Sequence, residues 1–218
     1  MASQPDARGV RYIGGMADAM RTLDPDPRCD QRVILYGVPW WQYEALLEQR
    51  GDASVPRLTY LEGALEIMSP TIDHEEIKKR FARLVEAWAD ATDTPLTGYG
   101  SWTIRRVEAK RGAEADECYV LGDFGRKGPR RPTHPDIAIE VVWTHGGLEK
   151  LDVWRDLGVR EVWMWEDGVI TVHTRTAAGW EAHARSRLLP GIDLPFIAEL
   201  LQADTQREAV RRLRESLA

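Results

Sequence analysis

A chain of 218 residues is long enough to bury a sizeable core, and one elaborated domain is expected rather than two. With 43% hydrophobic and 29% charged residues it is no disordered chain, and it lacks any apolar run near the roughly 20 residues of a membrane-spanning helix. The net charge of −6 does not advertise nucleic-acid binding, although a local patch counts for more than the total, and two cysteines exclude a disulfide framework or a thiolate zinc site.

In chain order, residues 1–31 carry Gly, Pro and Asp at short intervals and read as a loose lead-in to one domain over 32–218. The polar start, Met1 to Arg8, has no signal-peptide core, so a cytoplasmic location is expected. Trp40 to Arg50 has helical spacing, with Trp41, Leu46 and Leu47 as candidates for its buried stripe. Arg57 to Met68 predicts a hairpin turning at Glu62-Gly63. Asp73 to Asp90 is the clearest helix, because Ile77, Phe81, Leu84, Val85, Trp88 and Ala89 make one apolar stripe. Asp73 followed by Glu76 suggests a capping-box start. Three strands are expected over 98–107, 114–121 and 136–143, then a helix over 147–157 ended by Gly158. A strand over 160–166 turns at Asp167-Gly168 into its partner, 180–188 supplies an edge strand, and 194–217 is helical with a basic amphipathic end. The class is α/β, with a mixed sheet.

Carboxylates within apolar strands carry the chemical signal, because ionised side chains are rarely buried without a partner or a cation. In DIAIEVVW, alternation sets Asp136, Ala138, Glu140 and Val142 on one face, with Glu140 in mid-strand. Asp136 shares that face but lies roughly 13 Å away along the strand, too far for both acids to hold one ion. Asp116, in EADECYVL, is the available partner from a neighbouring strand. An equally open reading has Asp116 and Asp136 merely starting their strands, with Glu140 in a buried ion pair. Lys150 falls on the inward arc of its helix, just after the strand of Glu140; it either snorkels past the sheet edge or stands as a cation beside the carboxylates. His74 lies on the apolar face of its helix, as a core residue or a site residue, and no histidine spacing suits zinc.

On these residues the chain resembles the bacterial putative restriction endonuclease family of the PD-(D/E)xK nuclease superfamily. The stretches that carry the likeness are PRLTYLEGALEIMSPTIDHEEIKKRF, GSWTIRR, EADECYVLG and PDIAIEVVWTHGGLEKLDVWRDLGVREVWMW, in that order from residue 33 to about 200. The resemblance implies a restriction-endonuclease-like αβββαβ core with N-terminal helix and hairpin and C-terminal helical additions. It makes Asp116 and Glu140 the motif acids and Lys150 a motif lysine displaced onto the following helix. Two departures stand out: Ala115 replaces the motif proline, and Val142 occupies the usual lysine position. The implied activity is endonucleolytic phosphodiester hydrolysis, with Mg²⁺ (or Mn²⁺) held by Asp116, Glu140 and the Val141 backbone carbonyl, and with Lys150 and His74 as further catalytic candidates. DNA would meet Arg105, Arg106, Arg126, Lys127, Arg130 and Arg131, and the basic C-terminal helix could serve a homodimer. The rival expectation is a catalytically inactive protein of the same fold, acting as a binding or assembly module.

Overall fold

In the computed structural model, which describes residues 28–125 and 132–218, the strands divide between two sheets. The first runs β1 (Gln31–Leu35), β3 (Ala64–Ser69), β2 (Arg57–Leu61), β6 (Arg111–Glu114), β5 (Thr103–Arg106), antiparallel throughout. The second runs β11 (Gly179–His183), β10 (Val169–Thr176), β9 (Glu161–Glu166), β8 (Ile137–Val142), β7 (Glu117–Leu121), β4 (Leu96–Gly98). Only β8 and β9 pair in parallel, so this sheet is mixed. Ala115 and Asp116 carry the chain from β6 in one sheet to β7 in the other.

The helices are α1 (Trp40–Arg50), α2 (Ile72–Ala91), α3 (Lys150–Trp154), α4 (Leu194–Leu201) and α5 (Gln206–Leu217). Phe81, Leu84, Val85 and Trp88 of α2 are buried with Ile137, Ile139, Val141 and Trp163 in the largest apolar cluster, while Ile77 is only partly buried. On the opposite face of β8, Ala138 joins Val153, Trp154, Val162, Ile104 and Ala113 in a second cluster. The alternation of β8 thus feeds two cores at once, and Glu140 follows Ala138 onto the second face.

Several boundaries depart from the sequence pattern. The strand expected over 98–107 is broken at Gly100, whose positive φ of 64° and whose carbonyl, accepting from the Trp102 amide, make a turn between the two sheets. The cap of α2 is Thr71, whose side chain accepts from the His74 amide; Asp73 and Glu76 imitate a start two residues later. In α1 the buried ring is Tyr43, at 0% exposure, whereas Trp41 is 65% exposed. The helix expected over 147–157 is regular only at 150–154, because Gly146 at φ 97° and Gly158 at φ 91° bracket it with turns. The edge strand expected over 180–188 spans Gly179–His183 instead. The C-terminal helix is two helices, since Thr205 caps α5 afresh. Ala209 and Leu213 on the apolar face of α5 are buried among residues of α2 and α4, so that face is covered within the chain.

Candidate active site

Glu140 is 3% exposed and has two partners. The Trp154 indole donates to its Oε1 at 2.7 Å, and the Lys150 ammonium lies 3.3 Å from its Oε2. Both partners come from α3, one turn apart on its inner side. The path from β8 to α3 depends on glycine: a Cβ at Gly147 would stand 2.5 Å from Glu66 Oε2. Lys150 therefore points inward, as its helix phase implies, and its side chain is 16% exposed. With Arg32, Glu140, Thr144, Met164 and Glu166 it lines a cavity of about 250 Å³.

Asp116 sits where β7 and β8 part. Its amide donates to the Ile139 carbonyl at 3.1 Å, and its Oδ2 accepts from the Val141 amide at 2.6 Å, so it grips the positions on either side of Glu140. Its Oδ1 meets the Arg57 guanidinium and His74 Nε2, the latter at 3.0 Å. Asp116 does not line the cavity that Glu140 and Lys150 share, and the two acids use separate cations. Val141 turns its side chain to the α2 core and its amide to Asp116, and it too lines the cavity.

His74 is the link that the sequence presents only as a lone histidine. Its Nδ1 lies 2.9 Å from Asp30 Oδ2 and its Nε2 faces Asp116, with all three side chains buried. A neutral imidazole donates at one nitrogen only; the imidazolium donates at both and satisfies both acids. Burial would raise the Asp30 carboxyl, but hydrogen bonds from His74 and the Thr71 amide, together with the charge of His74, outweigh it and hold Asp30 at about 2. Thr144 completes the group through a 3.1 Å bond to Asp30 Oδ2.

Sequence reasoning passed over three residues here: Asp30, Arg57 and Glu66. Glu66, 1% exposed on β3, accepts from the Leu148 amide at 2.8 Å, and its Oε1 lies 3.9 Å from Lys150 Nζ. The signal that marks Glu140, an acid inside an apolar strand, also marks Glu66 in ALEIM. By contrast, Asp136 is an end fitting of β8, taking the Leu121 amide at 2.9 Å and Arg160 at 3.1 Å.

A hard divalent cation suits an all-oxygen donor set, and Mg²⁺ commonly takes one or two carboxylates and keeps waters. Each carboxylate has about four acceptor positions. Glu140 uses one per oxygen, leaving room on both; Asp116 spends two on Oδ1 and one on Oδ2, leaving room on Oδ2. Among the described residues no three His, Cys, Asp or Glu side chains converge as a ready-made cage. The open positions belong to Glu140 at the cavity wall and to Asp116 Oδ2 away from it, which is a partial donor set for an ion and not a closed structural site.

The family profile of Uma2, described as a putative restriction endonuclease, matches residues 40–208, which hold every residue of this site except Asp30 and Arg32. The chain belongs to the Uma2 family. A solved structure titled as a putative nuclease belonging to DUF820, from Anabaena variabilis ATCC 29413, is similar over 72% of this chain and 92% of its own, with 13% identity and a TM-score of 0.45. The chain matches no curated protein sequence.

Of the expected nucleic-acid contacts, two lie among the described residues. Arg105 is half-exposed, 3.8 Å from Glu44, and Arg106 donates to the Asp156 carbonyl at 2.8 Å from the edge strand β5. Arg126, Lys127, Arg130 and Arg131 lie outside the described residues. No helix among the described residues is long and apolar enough to cross a membrane.

Proposed function

We propose that this Uma2 protein is a metal-dependent endonuclease that hydrolyses phosphodiester bonds in DNA. The observation that carries the reading is the Lys150 ammonium, held 3.3 Å from the buried Glu140 carboxylate at the wall of a cavity, in a chain whose family is described as a putative restriction endonuclease. Asp116, Glu140 and the Val141 carbonyl would hold Mg²⁺ or Mn²⁺, which when bound polarises a phosphate and acidifies a water. Lys150 has three N–H donors; one faces Glu140, and another is free to orient the attacking water or to stabilise charge gathering on the phosphate oxygens. His74 does not line the Glu140–Lys150 cavity and acts through Asp116, fixing its Oδ1 so that Oδ2 keeps its direction. Arg105 and Arg106 are placed on a surface strand where they can meet a phosphate backbone.

One observation favours the second reading, a binding module without catalysis. Arg57, His74 and Lys150 already pair with the two acids, so neither carboxylate needs an added ion for a partner. Calorimetric titration with Mn²⁺ separates the two. Binding with proton release, lost in Glu140→Ala, is expected for the nuclease; a protein that takes up no ion, with or without Glu140, belongs to the second class.

A further inference from the structure

We infer that Glu66 is a positioning residue of this same site: it shares the Lys150 ammonium with Glu140 and so fixes the direction of that lysine's remaining donor. The inference rests on the hydrolytic reading for its consequence in rate, but its geometry is independent of it.

Glu66 belongs to the first sheet and Glu140 to the second, and Lys150 stands between them. The two oxygens of Glu66 have different surroundings. Oε2 is engaged: the Leu148 amide donates to it at 2.8 Å and the Arg32 Nε lies 3.5 Å away. Arg32 in turn donates to the Thr144 and His145 carbonyls at 3.0 and 3.2 Å, so the pair ties down the segment leading into α3. Oε1 is buried and accepts no hydrogen bond, yet it lies 3.9 Å from Lys150 Nζ. A buried, unpartnered carboxylate oxygen is costly unless a charge or ligand compensates it. The lysine is the compensating charge within ion-pair range.

Lysine is a point charge on a flexible four-carbon stem, and a single carboxylate would leave its ammonium free to swing. Two carboxylates approached from opposite sheets define a position. With the ammonium held by charge between Glu66 and Glu140, at 3.9 and 3.3 Å, its side turned away from both acids is left for a water or phosphate oxygen. The turn must be glycine for the same reason, since a side chain at 147 would displace Glu66 Oε2.

A double-mutant cycle read by thermal unfolding without added metal tests this directly. Lys150→Met strands two buried acids and is expected to lower the melting temperature by roughly 6–20 °C. Glu66→Gln keeps an oxygen for the Leu148 amide but removes one of the two charges, so in that background Lys150→Met should cost clearly less. Additive effects would overturn the inference. If Glu66→Gln fails to fold, Glu66→Met, which also removes the charge at similar length, runs the same cycle with the same criterion. In DNA cleavage, Glu66→Gln should lower kcat about 10–100-fold with KM unchanged; a change confined to KM would also overturn it. Coupling in stability with no cleavage by the unmodified protein would keep the role of Glu66 and sink the hydrolytic reading. Cleavage without coupling would do the reverse.

Discussion

Replacing His74 with alanine probes the most connected buried group in the site. His74 joins Asp30 and Asp116 through contacts of 2.9 and 3.0 Å, and all three side chains are at most 2% exposed. Without the ring, Asp30 keeps the Thr71 amide and the Thr144 hydroxyl but no cation among the described residues, whereas Asp116 keeps Arg57 and the Val141 amide. Removing one partner of a buried ion pair costs about 3–5 kcal/mol, or roughly 6–20 °C in a chain of this size. Differential scanning calorimetry of His74→Ala, Asp30→Asn and the double variant measures the loss and its source. The double variant should lose less than the sum, because the stranded Asp30 charge is absent from it. The pH dependence follows the same group. Asp30 is depressed from 3.8 to about 2, so its stabilisation is complete above the unfolded value and fades as pH falls through that window. Asp30→Asn should therefore flatten the acid limb between about pH 4 and 2. A His74→Ala protein within about 1 kcal/mol of the parent, or additive losses, would refute the picture of a histidine bridging two buried acids.

Gly112→Ala should be among the most damaging small substitutions, since a Cβ there would stand 2.2 Å from the Tyr43 hydroxyl oxygen; chemical denaturation should show a loss of several kcal/mol, about 2–4. Thiol titration should find one reactive cysteine in the native protein, exposed Cys29, because burial pushes the Cys118 thiol up to about 12; denaturation should release the second. Trp154→Phe removes the indole donor to Glu140 Oε1 and should destabilise by about 1.5–3 kcal/mol in urea unfolding, with no such cost if that bond is immaterial. If Arg105 and Arg106 contact a phosphate backbone, their joint replacement by alanine should reduce the salt slope of DNA binding by about 2 units; an unchanged slope assigns them to the solvated surface.

Much of the scaffold was readable because its signals are local. Strand alternation is enough to put Glu140 inward in mid-strand, and helix phase is enough to turn Lys150 towards it. The stripe from Phe81 to Trp88 reports its own burial in the same way. What the pattern does not contain is partnership. Nothing in residues 98–121 says that β5 and β6 join one sheet and β4 and β7 the other, because pairing is decided by contacts distant in sequence. Asp30 and Arg57 were illegible for the same reason: their partners, His74 and Asp116, lie 44 and 59 positions on. Glu66 was different. Its acid-in-strand signal matched that of Glu140, but the hairpin around it explained the segment well enough to hide it. Local mimicry accounts for the misplaced cap of α2, where Asp73 and Glu76 resemble a capping box beside the true Thr71.

The central claim, hydrolysis of DNA at the Glu140–Lys150 cavity, is met most directly by incubating the purified protein with supercoiled plasmid and Mg²⁺ or Mn²⁺. Nicked and linear products are expected, and they should disappear with chelator and in both Glu140→Ala and Lys150→Met, each folded by circular dichroism. Cleavage surviving unchanged in Glu140→Ala, or no cleavage by a protein shown to bind Mn²⁺, would contradict it.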